Sequence, residues 1–126
     1  MDNKDKVLTK ADILAAADIQ TRIERVPEWG GTVTLKALSG KERDEFETFT
    51  FNRASGDKDT RGYVADDIVA YGLSIAIRGP DGKRLFSPAD VAALNEKNGV
   101  VLRRLWATVE RANLLGGAAL EAERKN

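Results

Sequence analysis

The sequence predicts an α+β domain in which an N-terminal β-hairpin packs on a mainly α-helical body of about five helices. Three observations predict it. "TVTLKAL" alternates strictly, setting Val33, Leu35 and Ala37 on one face and Thr32, Thr34 and Lys36 on the other. "VPEWGG" before it supplies a strand-ending proline and a glycine turn. Beyond it, apolar residues recur at helical spacing behind recognisable capping signals. The 126 residues form one domain, with residues 1–6 and 118–126 expected to be flexible and 54–62 a mobile loop.

The elements follow in order. Thr9 with Asp12 three positions on caps a short helix over "KADILAAA" that ends near Ala17. "IQTRIERV", rich in β-branched residues, reads as the first strand and stops at Pro27. Ile19 and Ile23 share a face that Val26 does not, so a bulge near Arg25 is expected. Gly30 and Gly31 supply the positive φ angles of the connection, and Trp29 at the tip helps fasten the hairpin to helices. Ser39 with Glu42 is a capping box and opens a helix that carries Phe46 and Phe49 on one side.

"ASGDKDTRG" is polar and free of long apolar side chains, hence the mobile loop. Val64, Ile68, Tyr71, Gly72 and Ile75 then recur at helical spacing, and Leu73, Ala76 and Ile77 widen the stripe into that of a buried helix. "GPDGKRLF" breaks it. A second hairpin, "LSIAIR" against "KRLF", is the alternative for residues 73–86; helix followed by turn is the preferred reading. Ser87, Pro88 and Asp90 start another helix, which carries Val91 and Leu94, runs to about Asn98 and ends at Gly99. A long final helix sets Leu102, Leu105, Trp106 and Val109 on one face and Arg103, Arg104, Glu110 and Arg111 elsewhere. Gly116 and Gly117 are expected to interrupt it before a charged tail.

Composition narrows the function. Lys plus Arg and Asp plus Glu number 20 each, leaving no excess of positive charge for nucleic acid or an anionic membrane surface. Without cysteine there are neither disulfides nor thiolate metal sites. Without histidine the commonest general base is gone. No apolar run approaches the roughly 20 residues of a membrane span, and the first ten residues lack a signal peptide's apolar stretch, so a cytoplasmic protein is expected.

Candidate chemistry is thin. Asp57, Asp59 and Gly62 occupy positions one, three and six of a calcium loop. Arg61, however, stands where an oxygen ligand is needed, and Ile68 replaces the closing Glu. Asp66 and Asp67 are neighbours that diverge by about 100° on a helix, which suits a polar first turn better than a shared proton or metal. Ser39, Ser55 and Ser87 have capping or loop roles, and Arg103 and Arg104 beside Trp106 read as a solvated helix face. No catalytic residue, metal ligand or cofactor site emerges. What remains is apolar surplus on the last helix. Its stripe is core by default, yet Val100, Val101, Leu114 and Leu115 lie off the stripe's centre. A partner-binding patch is therefore expected at Leu105, Trp106, Val109, Leu114 and Leu115, with Phe49 and Phe51 as a second candidate.

The order of features resembles the tail assembly chaperones of long-tailed, siphovirus-type phages and prophages. "LTKADILAA", "DIQTRIERVPEWGGTVTLKALSGKERDEFE", "GPDGKRLFSPADVAALNEKN" and "VLRRLWATVERANLL" carry the resemblance over most of the chain, and "VPEWGG" joined to "LSGKERDEFE" is its most specific part. The resemblance implies a non-enzymatic assembly factor without a cofactor. Such a protein binds the tape measure protein, keeps its apolar surface from aggregating and brings tail tube subunits to it. It acts in the host cytoplasm and is left out of the mature virion. A longer, frameshifted form of the chain is a further implied partner, since "RKN" can be encoded by a slippery run, and a homo-oligomer is compatible with the pattern. The alternatives are a structural tail or head–tail component retained in the particle, and an enzyme or metal protein built on residues 57–67.

Overall fold

The computed structural model describes residues 6–56 and 67–125, with the backbone alone for 54–56 and 114–125. Five α-helices and a three-stranded antiparallel sheet are found there, in the order α1 (Lys10–Ala15), β1 (Thr21–Val26), β2 (Gly31–Lys36), α2 (Gly40–Gly56), α3 (Ile68–Ala76), β3 (Ile77–Arg78), α4 (Val91–Leu94) and α5 (Gly99–Lys125). Strand order is β1-β2-β3, so β1 lies at one edge. The α+β architecture is the expected one.

The hairpin forms as its turn chemistry dictates. Pro27–Trp29 make one 3-10 turn, closed by Gly30 in the left-handed region at φ 78°, where a Cβ would be strained. Gly31, expected in the turn, is instead the first residue of β2. Pairing runs without a break from Thr21↔Lys36 to Val26↔Gly31, and the expected bulge at Arg25 does not occur. The strand keeps its register by leaving Ile23 on the outer face, 75% exposed, while Val26 is fully buried. Burial of Leu35 and Val26 decides the register, because a one-residue slip would turn both toward solvent.

α3 is the centre of the core. Leu73, Ile75 and Ala76 are fully buried, and α3 packs on α5, α4 and α2. Gly72 is where α3 and α5 approach most closely: a Cβ there would stand 2.5 Å from two atoms of the Trp106 ring. Trp106 in turn lies against Phe46 of α2, ring centres 5.0 Å apart. Only glycine lets the indole fill that space.

Residues 73–86 combine both readings. The helix ends at Ala76, and Ile77 and Arg78 then pair with Leu35 and Thr34 of β2. Arg78 also bridges to Arg84 across the "GPDG" turn. Ile77, read from the sequence as part of the helical stripe, is thus a buried strand residue. Ser87 and Asp90, read as a helix start, form a capping box, but the segment is a 3-10 turn followed by a single α-turn that ends at Leu94. Asn98 does not close that helix. It caps α5, its Oδ1 accepting from the N–H groups of Val100 (2.9 Å) and Val101 (3.2 Å). Gly99 accordingly opens α5, and the α5 backbone continues through Gly116 and Gly117 to Lys125. Of the loop expected over 54–62, residues 54–56 belong instead to the last turn of α2 and residues 57–62 lie outside the described residues.

Candidate protein-binding surface

Of the residues expected to bind a partner, Leu105, Trp106 and Val109 are in the core, with exposures of 0%, 9% and 1%. This corrects the expectation that they form a surface. The sheet, α3 and the Phe46 ring of α2 already cover that stripe, so no surplus remains on it. Leu114 and Leu115 continue α5, with side chains outside the described set. Phe49 is half-buried, stacked on Tyr71 with ring centres 3.8 Å apart and an Arg53 guanidinium 4.9 Å from its centre. Phe51, on the other side of α2, is exposed. Phe49 and Phe51 therefore do not form one patch.

The exposed apolar side chains gather elsewhere. α1 buries none of its residues, and Val7 (88% exposed), Leu8, Ile13 and Leu14 (74%) stand in solvent along the first segment. The helix itself is well specified. Thr9 Oγ1 accepts from the Asp12 N–H at 3.1 Å, Asp12 Oδ2 accepts from the Thr9 N–H at 2.9 Å, and Lys6 lies 3.4 Å from Asp12. Those bonds hold the Asp12 carboxyl below its ordinary value. Local bonds thus define an arm that tertiary packing does not stabilise, and isolated helices this short are marginal in water. The signal was in the sequence: the large apolar residues within Lys10–Ala15 are the adjacent Ile13 and Leu14, with no further turn of apolar residues to extend them into a core-facing stripe.

Among the clefts of the described residues, two are open and lined by mixed apolar and charged side chains. One, of about 530 Å³, lies between Trp29 at the hairpin tip and Leu85, Phe86, Ala93 and Leu94. The other, of about 500 Å³, is lined by Lys41, Asp44, Glu45, Thr48, Phe49, Asn52 and Tyr71. The first is the more apolar and is bounded by one acid, Asp90, and one base, Lys97. Asp90 is committed to its capping box, whose Ser87 N–H lowers its carboxyl from the ordinary value.

A charged frame fixes the elements between these surfaces. Glu42, at the start of α2, accepts from Lys36 of β2, from Arg78 of β3 and from the Ser39 N–H. Burial pushes this carboxyl up, but the bonds from Lys36, the Ser39 N–H and Arg78 outweigh it and hold it at about 2, against an ordinary 4.5. Glu45 takes two bonds from Arg84 (3.1 and 3.0 Å) and one from the Tyr71 hydroxyl (3.2 Å). Arg84 draws the Glu45 carboxyl down, while burial pushes the Tyr71 phenol up. At the hairpin tip Arg104 makes a two-pronged pair with Glu28 (3.0 and 2.9 Å) and holds its carboxyl at about 2. Each of these charges ties a strand or a turn to a helix. No group of three or more metal-ligating side chains occurs among the described residues. Asp67 is paired with Arg53 (3.0 and 2.6 Å), and the rest of the calcium-loop pattern lies outside the described residues. No described helix is long and apolar enough to cross a membrane.

These features define a class: a helical domain with a small antiparallel sheet, its loops pinned by ion pairs, displaying an apolar arm. The solved structure of the bacteriophage HK97 tail assembly chaperone has this fold, matching at a TM-score of 0.55 and 23% sequence identity over 76% of this chain and 90% of that one. The likeness is one of fold, and it points the same way as the resemblance carried by "VPEWGG" and "LSGKERDEFE". No family model and no curated protein sequence matches the chain.

Proposed function

We propose that the protein is a tail assembly chaperone that binds apolar helical segments of a phage tape measure protein, keeps them from aggregating and brings tail tube subunits to them. The observation that carries this reading is the capped but unpacked α1 arm, with Val7, Leu8, Ile13 and Leu14 exposed on a domain of tail-chaperone fold. Apolar side chains held in solvent by local bonds alone suit transient contact with another chain's apolar face. Phe51 of α2, with Leu114 and Leu115 on the distal part of α5, would extend the contact. Its setting would be the cytoplasm of the host cell, with the protein absent from mature virions and a frameshifted longer form beside it.

Co-expression with the tape measure protein tests the reading. The wild-type chain should keep the tape measure soluble and co-purify with it. Ile13→Asp with Leu14→Asp should release it, and so should Leu114→Asp with Leu115→Asp, each with the melting temperature unchanged. Full co-purification of both double variants would refute the assigned surface. High copy number in purified virions would instead favour a retained structural component.

A further inference from the structure

We propose that β1 is a self-pairing edge. Two copies join antiparallel through Thr21–Val26 about a two-fold axis at Ile23, fusing their three-stranded sheets into one.

The backbone provides the first half of the case. The Ala37 N–H donates to the Gln20 carbonyl at 2.8 Å, so Gln20 and Ala37 form a hydrogen-bonded pair. Alternation along the ladder then turns the backbone groups of Arg22, Glu24 and Val26 toward β2. The N–H and C=O groups of Thr21, Ile23 and Arg25 point the other way, to an edge that no described strand covers. Ile23 is 75% exposed at its centre. The strand carries neither bulge nor internal proline, and Pro27, which cannot donate, lies just past its end.

The charges provide the second half. Natural edges are blunted with charge, and "TRIER" does carry charge, but in an order that selects a partner. With the axis at Ile23, Arg22 faces Glu24 of the second copy and Glu24 faces its Arg22, while Arg25 faces Thr21. Ile23 meets its own copy. Moving the axis to Arg22 sets arginine on arginine, moving it to Glu24 sets glutamate on glutamate, and moving it to Arg25 again opposes like charges. Only the central register is complementary, and it also pairs all three outward residues. Arg22 and Arg25 have no ion-pair partner among the described residues, while Glu24 accepts from Thr108 Oγ1 at 3.3 Å and lies in the field of Arg104 without a salt bridge to it. A closed, isologous contact of this kind gives a dimer and stops there.

Sedimentation equilibrium of the full chain, in a concentration series reaching the millimolar range, reads the outcome. The mass should rise toward twice 13.8 kDa. Arg22→Glu sets carboxylate against carboxylate at both flanking positions and should hold the chain monomeric, with an unchanged circular dichroism spectrum. Adding Glu24→Arg to that variant should restore the dimer. The chain contains no cysteine, so Ile23→Cys offers an independent readout. At a hydrogen-bonded two-fold pair the Cα atoms lie about 5.5 Å apart, within disulfide reach, and mild oxidation should link the copies. A wild-type chain monomeric throughout, an oligomer indifferent to Arg22→Glu, or no cross-link through Ile23→Cys would each overturn the proposal. So would finding the Thr21, Ile23 and Arg25 amides protected only when another protein is added.

Discussion

Replacing Gly72 by alanine asks whether the α3–α5 contact is as tight as its geometry implies. The added Cβ would stand 2.5 Å from Cη2 and Cζ3 of Trp106 and 3.0 Å from Cε1 of Phe46. Carbon atoms rest at about 3.5–4.0 Å, so the indole must retreat by about 1 Å. It cannot do so freely, being 9% exposed and already against the Phe46 ring. Overpacking of a core costs roughly 1–3 kcal/mol, and contact with two atoms of a rigid ring belongs at the upper end. Alanine returns about 1 kcal/mol in helix propensity. The net loss is therefore ~2 kcal/mol, or a melting temperature lower by about 8 °C for a domain of this size. Urea denaturation and thermal melting of Gly72→Ala measure it. The control is the same change on a Trp106→Leu background, where the two closest atoms are gone and only the 3.0 Å approach to Phe46 opposes the propensity gain. Gly72→Ala should then be neutral or stabilising. Equal destabilisation in both backgrounds, or a single variant that melts at or above the wild type, would refute the steric account.

Three further outcomes follow from the same structure. Because the folded Glu42 carboxyl sits at about 2 and its ordinary value is 4.5, its contribution is fully present above about pH 4.5 and is lost as pH falls toward 2. Denaturation midpoints should drop across that window and drop less steeply in Glu42→Gln; parallel pH profiles would count against Glu42 as the source. Asn98→Ala removes the α5 cap and should cost about 1 kcal/mol, read by urea denaturation, whereas Asn98→Asp should be near neutral. Leu14→Asp on the arm should change stability by no more than about 0.5 kcal/mol, since the side chain is 74% exposed; a larger loss would mean that α1 packs on the body.

What could be read from the sequence divides by range. The three capping boxes, Thr9/Asp12, Ser39/Glu42 and Ser87/Asp90, were legible because each is closed within four residues by its own backbone. β2 was legible because its residue types alternate, and Leu35 and the following Ala37, on the apolar side of that pattern, are buried. β1 was half-legible: Ile23 is apolar yet faces out, so a pattern that assumes apolar means buried demands a bulge that the ladder does not contain. The two-residue β3 was hidden at the end of a helix, since Ile77 continues the helical stripe by count while pairing with Leu35 in space. The partner surface was the least legible. Whether Leu105 and Trp106 are surplus depends on how many elements arrive to cover them, and that is a sum over the whole fold. Gly72 stood in plain view in the α3 stripe, but the reason for it lies in an indole more than thirty residues away.

The placement of charge and apolar side chains separates what is built to stay from what is built to meet. Paired charges that join different elements lie at joints: Glu42 between strands β2 and β3 and α2, Glu45 between α2 and the turn after β3, Glu28 between the hairpin tip and α5. Arg22 and Arg25 of β1 have no such partner among the described residues, and the strand they flank is the uncovered edge. The exposed arm follows the same division, because its helix is specified by Thr9 and Asp12 and by nothing beyond them. A helix so short gains stability chiefly from burial of its apolar side chains, and here burial must be supplied by another molecule. Binding at the arm should therefore order α1, whereas pairing at β1 needs no ordering, since β2 already holds that strand in place. Amide exchange separates the two: α1 amides should gain protection only in a complex, while the inward amides of β1 should be protected in the free chain.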